Sequence, residues 1–275
     1  KNIKNKVKKT NFELRTITSD WRESKDIRLA LIKASVPDMA LGTDLGIAAA
    51  LYSIAAKENI KYIISGVSFR TEGIVPLDWN YLDGKYLKSI IKKHGTIKLR
   101  SWNKFNAGFN FDTKEFLYYS LIKKIKFIPL LYHIDYNRRS IEKIIKEEFD
   151  WIYPGAHYFD DLYQSLMSYI LRVKFKIDYR KFNYSALIRS KQLNRAEAIE
   201  KIKKIYSVED NKIIDLCIKR LGVERDFINQ ILRQEPKNFL NFKSNYNIIK
   251  YFKIPIRIFC KIGILPPSLY FKFFQ

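Results

Sequence analysis

KYIISGVSFRTEGIVPLDW, Lys61 to Trp79, sets an unbroken apolar run against a polar cluster, with one of the chain's 10 glycines between them. Three consecutive apolar residues with no polar alternation, Tyr62 to Ile64, predict a strand buried on both faces, as strands of a parallel sheet are. The polar cluster then comes at once: Gly66, Ser68, Arg70, Thr71 and Glu72. In parallel α/β sheets ligands collect where loops leave the carboxyl ends of strands. The stretch therefore predicts a fold class and a site together.

Working outward, the chain alternates strand and helix signals. NFELRTIT (11–18) alternates and carries β-branched residues, which predicts a strand. DWRESKDIRLALIKA has helical spacing at Ile27, Leu31 and Ala34 behind an Asp20 cap. A second helix is predicted from Thr43 or Asp44 to Glu58, and a third from about Gly84 to His94. IKFIPLLY (125–132) reads as another strand. Beyond it come helical patterns at about Asn137 to Glu148, Phe159 to Val173, Asn194 to Ile205, Val208 to Leu221 and Glu224 to Arg233. The expected architecture is α/β, a partial doubly wound parallel sheet followed by a helical C-terminal region. Its expected segments are an α/β domain over 1–130, a helical substrate or partner region over 131–240, and a basic apolar tail over 241–275.

Composition narrows the functional classes. With 275 residues, 47% hydrophobic and 15% aromatic, the chain is folded rather than disordered. Lys and Arg outnumber Asp and Glu by 51 to 28, a formal charge of +23, which favours anionic partners: nucleotides, nucleic acid or a lipid surface. An AT-rich coding bias, which raises Lys, Asn, Ile, Phe and Tyr together, accounts for the same excess. Cys217 and Cys260 are far apart and form no CxxC pair, which argues against a zinc knuckle or a redox dithiol. Low cysteine content suits a reducing cytoplasm. No apolar run is long enough for a membrane span, and the first residues lack a signal-peptide core.

The candidate chemistry lies in two places. In the post-strand loop, Gly66 permits close backbone approach, Ser68 and Thr71 offer hydroxyls, Arg70 a fork for phosphate or carboxylate, and Glu72 a hard oxygen ligand for Mg²⁺. An ordinary solvated loop also explains these residues. Further on, DWIYPGAHYFDDLYQS (150–165) carries Tyr153, His157, Asp160 and Asp161, and DYRKFNYSALIRS (178–190) sets Arg180, Lys181 and Arg189 among aromatics. Cations interleaved with rings suit a sugar nucleotide or a nucleic acid. A structural histidine and two helix-starting acids are the competing explanation.

ALIKASVPDMALGTDLGIAAALYSIAAKENIKYIISGVSFRTEGIVPLDWNY (30–81), followed in order by the two segments just quoted and by RAEAI (195–199), resembles the N-acetyl sugar amidotransferase family of bacterial surface-polysaccharide biosynthesis. That family is similar to the wider group of ATP pyrophosphatases. The resemblance implies a cytoplasmic enzyme using ATP and Mg²⁺ to activate an acetamido carbonyl as an adenylylated imidate, which ammonia converts to an acetamidino group. It implies catalytic roles for Asp44, Arg70 and Glu72, with Glu72 on the metal, and nucleotide contacts at Gly66, Ser68 and Thr71. Sugar-nucleotide contacts fall to Tyr153, His157, Arg180 and Lys181. Ammonia is expected from separate glutaminase and cyclase-like subunits, and nucleic acid is not an expected partner.

The sequence departs from that pattern in several places. Leu45 stands where many relatives have His, and the segment from Pro154 to Phe159 replaces a Gly-Gly-Lys-His-x-Glu element. SGGxDS, the pyrophosphate loop of such enzymes, occurs nowhere in the chain. With Lys1 in place of Met, this implies a chain that begins inside the nucleotide domain, or an inactive fragment. The reading from a different class is a tRNA-modifying or RNA-binding protein of the same superfamily, favoured by the charge. Two readings also stay open for NIIKYFKIPIRIFCKIGILPPSLYFKFFQ (247–275), which contains no acid. It either lies on an anionic membrane surface or packs Tyr251, Phe252, Ile256 and Phe259 against the helical region.

Overall fold

A computed structural model describes residues 2–73, 75–102, 108–151, 161–265 and 267–274. In chain order the elements are α1 (Asn2–Thr10), α2 (Trp21–Ala34), α3 (Leu41–Lys57), β1 (Tyr62–Ser65), α4 (Gly84–His94), α5 (Thr113–Leu117), β2 (Lys126–Pro129), α6 (Arg138–Phe149), α7 (Tyr163–Phe175), α8 (Tyr179–Arg189), α9 (Arg195–Lys203), α10 (Asn211–Leu221), α11 (Arg225–Arg233), α12 (Tyr246–Ile249), α13 (Lys253–Lys261) and α14 (Pro267–Phe274). They form two compact units that follow packing rather than chain order. The sheet unit is Ser19–Gly66, Ile74–Leu130 and Arg225–Gln275; the helical unit is Lys1–Thr18, Val67–Gly73 and Leu131–Glu224.

In the sheet unit, α2 starts where its cap predicts. The Asp20 carboxylate accepts from the Arg22 N–H at 2.8 Å, and Ser35, left-handed at φ 60°, ends the helix. Its buried Ile27, Leu31 and Ala34 pack with Leu41 and Leu45 of α3 and with Tyr86, Leu87 and Ile90 of α4. Phe239 and Trp102 complete this core. Helix α4 is fixed by Asp83, whose carboxylate caps the N–H groups of Lys85 and Tyr86.

β1 and β2 pair in parallel, with Tyr62 opposite Lys126 and Ser65 opposite Pro129. Among the described residues they are the sheet's two strands. Burial on both faces of β1 is corrected by the structure. Ile63 points into a cluster with Tyr52, Ala55, Tyr119 and Ile125, whereas Tyr62 and Ile64 are 59% and 68% exposed. The reason is that α3 covers one face and none of the described elements covers the other. The strand expected over 11–18 is also absent: that segment is exposed and joins no sheet among the described residues, and an alternating pattern makes a strand only where a partner edge exists.

The helical unit packs α7 against α10 through buried Leu166, Ile170, Ile214 and Ile218. Asn137 caps α6, Asn194 caps α9, and Asp210 caps α10, which Gly222 closes in the left-handed conformation. Helix α8, which the periodicity does not flag, is capped by Asp178.

Candidate functional site

The loop after β1 is built as one helical turn. Ser68 C=O accepts from the N–H of Glu72 at 2.8 Å and of Thr71 at 3.3 Å, and Phe69 C=O accepts from Gly73 at 3.2 Å. Gly73 ends the turn at φ +74°, a conformation that favours glycine, and a Cβ there would stand 3.0 Å from the tip of the Phe182 ring, which would have to shift slightly to admit it. The turn is fastened at its middle. Arg70 Nη1 donates to Leu131 C=O at 3.1 Å, its guanidinium lies 4.7 Å from the Phe69 ring centre, and Ser190 Oγ donates to Arg70 C=O at 2.8 Å. Phe69 meets Tyr132 edge-on at 4.9 Å. The segments that follow the two strands in the chain, both within the helical unit, thus touch each other.

Within the turn, Ser68 is 1% exposed and its Oγ has no hydrogen-bond partner among the described residues. A buried hydroxyl without a partner is costly, and Ser35 Oγ, Trp102 Nε1 and Asn110 Oδ1 share that condition elsewhere in the fold. Thr71 is also buried. Glu72 is exposed as a residue, yet desolvation of its carboxyl pushes it above the usual carboxylate range. The Ser68 N–H and the positive charge of Arg138 pull it partly back.

Arg138 opens a cluster that the sequence reading missed. Its Nε donates to Glu142 at 2.7 Å, its N–H donates to Gln192 Oε1 at 2.9 Å, and Gln192 Nε2 donates to Tyr136 C=O at 2.9 Å. Burial raises the Tyr136 hydroxyl pKa, with Arg138, Glu142 and Glu72 acting on it. The available signal was the Arg pair behind the Asn137 cap. It reads equally as a solvated helix start.

The other expected residues are dispersed. Asp44 sits in the first turn of α3 in the sheet unit; the helix starts at Leu41 behind Ala40, earlier than the expected Thr43 or Asp44 start. Gly66 belongs to the same unit, shows no left-handed φ and has no atom within 4 Å of an added Cβ among the described residues, so neither close approach nor unusual backbone explains it. Arg180 is already engaged. It holds Asp178 at 2.8 to 3.2 Å, donates to Lys204 C=O at 2.7 Å and lies 4.5 Å from the Tyr206 ring. Lys181 is exposed on α8. Tyr153, His157 and Asp160 lie outside the described residues.

Among the described residues no group of three His, Cys, Asp or Glu side chains could hold a metal unaided. Mg²⁺ in nucleotide sites takes one or two carboxylates and completes its shell with phosphate and water. Glu72 beside the unpartnered Ser68 hydroxyl fits that requirement at the phosphate end. The open groove of about 820 Å³ along α2 and residues 96–101 fits it less well. Its carboxylates are already used: Glu23 accepts from the Arg100 and Ser101 N–H groups, and Asp26 from the Thr96 N–H and hydroxyl.

Against known families, residues 136–254 match the model described as LPS biosynthesis protein WbpG-like, C-terminal domain. The match begins at Tyr136, takes in the Arg138–Gln192 cluster, and supports a role in surface-polysaccharide biosynthesis. No curated protein and no solved structure matches the chain. No helix among the described residues is long and apolar enough to cross a membrane.

Proposed function

We propose that the chain serves surface-polysaccharide biosynthesis as an ATP-dependent amidotransferase, which replaces the acetamido oxygen of a sugar nucleotide with nitrogen from ammonia to give an acetamidino group. The observation that carries the pathway is the lipopolysaccharide-biosynthesis match over 136–254. The reaction is supported by the ordered resemblance over 30–81 and by the buried, unpartnered Ser68 hydroxyl in the turn that Glu72 closes.

Bound ATP with Mg²⁺ supplies a leaving group for the amide oxygen. The chain's own residues position the reactants. Glu72 holds the metal, Ser68 and Thr71 offer hydroxyls to phosphate oxygens, and Arg70 presents its remaining N–H groups to an anion while Leu131 fixes its orientation. Arg180 acts as a positioning residue that anchors the start of α8 through Asp178, leaving Lys181 exposed for a sugar nucleotide.

The test incubates the complete product of the reading frame with Mg-ATP, isotopically labelled ammonium and nucleotide-linked N-acetyl sugars. Pyrophosphate release that requires the sugar, with one labelled nitrogen in the product, is the expected result. Pyrophosphate release that ignores the sugar, or label found in tRNA, overturns the proposal.

A further inference from the structure

Helix α13 carries its apolar stripe on the wrong side for a soluble protein. Ile254, Ile258 and Ile262 recur one turn apart, the spacing that normally faces a core, yet they are 72%, 51% and 59% exposed. Tyr251, 80% exposed, and exposed Ile248 extend the stripe back toward α12, whereas Ile256 and Phe259 are half-buried. Tyr251 and Phe252, expected on one reading to pack inward, both face solvent. Pro255 falls in the first turn of α13, where its missing N–H costs no helix bond.

A row of cations accompanies the stripe. Lys250, Lys253, Arg257 and Lys261 each directly precede a stripe residue (Tyr251, Ile254, Ile258 and Ile262), so they lie beside it around the helix. No acid occurs from Asn247 to Gln275. This is the arrangement of a helix lying in a bilayer interface, with isoleucines and Tyr251 below the headgroups and cations level with them. A second copy fits poorly, because pairing two such stripes would bring two rows of cations together with no acid in the segment to offset them. RNA would be gripped by cations but not by isoleucines. At nine residues, about 13.5 Å at 1.5 Å per residue, α13 can lie on a membrane but cannot span one.

We infer that α12 to α13 form a peripheral docking surface for an anionic lipid bilayer. This stands independently of the reaction proposed above, and its test needs no turnover. The intact chain is floated with vesicles of mixed phosphatidylcholine and phosphatidylglycerol, with vesicles of phosphatidylcholine alone, and with the mixed vesicles at high salt. Flotation is expected on the anionic vesicles at low salt, and substantially less in the other two conditions. Lys253→Glu/Arg257→Glu is expected to weaken partitioning at least roughly 25-fold, about fivefold per cation lost. Ile254→Ser/Ile258→Ser is expected to weaken it by about tenfold or more. All four side chains are exposed, so circular dichroism and melting should match the parent for both variants. Absent flotation on anionic vesicles overturns the inference, as does equal flotation on neutral ones. It is equally overturned by a serine variant that floats like the parent, or by a dimer in solution that only the serine variant dissolves.

Discussion

Replacing Asp83 by Asn tests whether one buried carboxylate organises the sheet unit. Asp83 accepts from the Lys85 N–H at 2.7 Å, the Tyr86 N–H at 3.3 Å, the Tyr81 hydroxyl at 2.9 Å, the Asn245 N–H at 2.5 Å and Asn245 Nδ2 at 3.1 Å. It thereby ties the start of α4 to the segment before α12. Asp38 extends the network, accepting from the Tyr81 N–H at 2.6 Å and the Tyr86 hydroxyl at 3.0 Å. Burial first, and then the adjacent carboxylates, push both tyrosine hydroxyls far above their ordinary pKa, so both remain donors. Asn is isosteric and caps helices well, so the bonds to Lys85 and Tyr86 survive. The new amide nitrogen instead faces the Asn245 N–H, donor against donor. An unsatisfied buried N–H costs about 1–3 kcal/mol, and the loss of charge assistance adds to it, giving about 2–4 kcal/mol in all. Asp83→Ala, which also loses the cap, should cost about 3–5 kcal/mol. Urea unfolding followed by far-UV circular dichroism, with hydrogen exchange at the α4 amides, measures both. A double-mutant cycle with Tyr81→Phe isolates the hydroxyl bond. If Asp83→Asn stays within about 0.5 kcal/mol of the parent, or if Ala is no worse than Asn, the carboxylate does not organise this unit.

Ser68→Ala should leave stability unchanged or raise it by up to about 1 kcal/mol, because it removes an unsatisfied buried hydroxyl, while pyrophosphate release falls; a clear loss of stability instead would mean that the turn uses the hydroxyl. For Glu72, the folded pKa is raised, so its stabilising effect is fully present below the ordinary 4.5 and is lost as pH rises through the folded value. Glu72→Gln should therefore gain stability relative to the parent between acid and neutral pH in melting curves. Glu23 behaves oppositely: burial pushes its carboxyl up, but the Ser101 hydroxyl and the Arg100 and Ser101 N–H groups outweigh it, so stability present above 4.5 is lost as pH falls through the folded pKa. Glu23→Gln should flatten the acid limb of the stability profile. Arg180→Ala leaves Asp178 buried without its partner and should cost about 3–5 kcal/mol; an unchanged Tm with lost sugar-nucleotide binding would make Arg180 a ligand-binding residue instead.

What the sequence made legible follows from local chemistry. Asp20 and the period at Ile27, Leu31 and Ala34 locate α2, and α4 runs over the predicted Gly84 to His94. The two apolar runs, Tyr62 to Ile64 and Phe127 to Ile128, read as strands and do pair in parallel. What stayed illegible depends on partners. An alternating pattern such as Asn11 to Thr18 cannot announce that no strand among the described residues lies beside it, and the apolar run in β1 cannot announce that no described element covers one face. Helix α8 escaped notice because its apolar residues form no single stripe: Ala186 alone is buried along it. The cluster of Tyr136, Arg138, Glu142 and Gln192 joins residues more than fifty positions apart, and no local pattern reports such a meeting.

The loop after β1 shows how residues proposed for a function also build local structure. Glu72 bonds back to the Ser68 N–H, Gly73 ends the turn in the left-handed region, and Arg70 stacks on Phe69 while holding Leu131. Those contacts, with the backbone bonds of Thr71, Glu72 and Gly73, form and fasten a single helical turn whatever the protein does. The Ser68 hydroxyl is different: the turn buries it and gives it no partner among the described residues. Natural structures rarely keep such a group unless something else completes it. The case proposed for a site here therefore rests less on the spacing of Gly66, Ser68, Thr71 and Glu72 than on a buried hydroxyl without a partner among the described residues, a condition Ser35 Oγ shares outside the turn, beside a carboxyl whose proton affinity burial has raised.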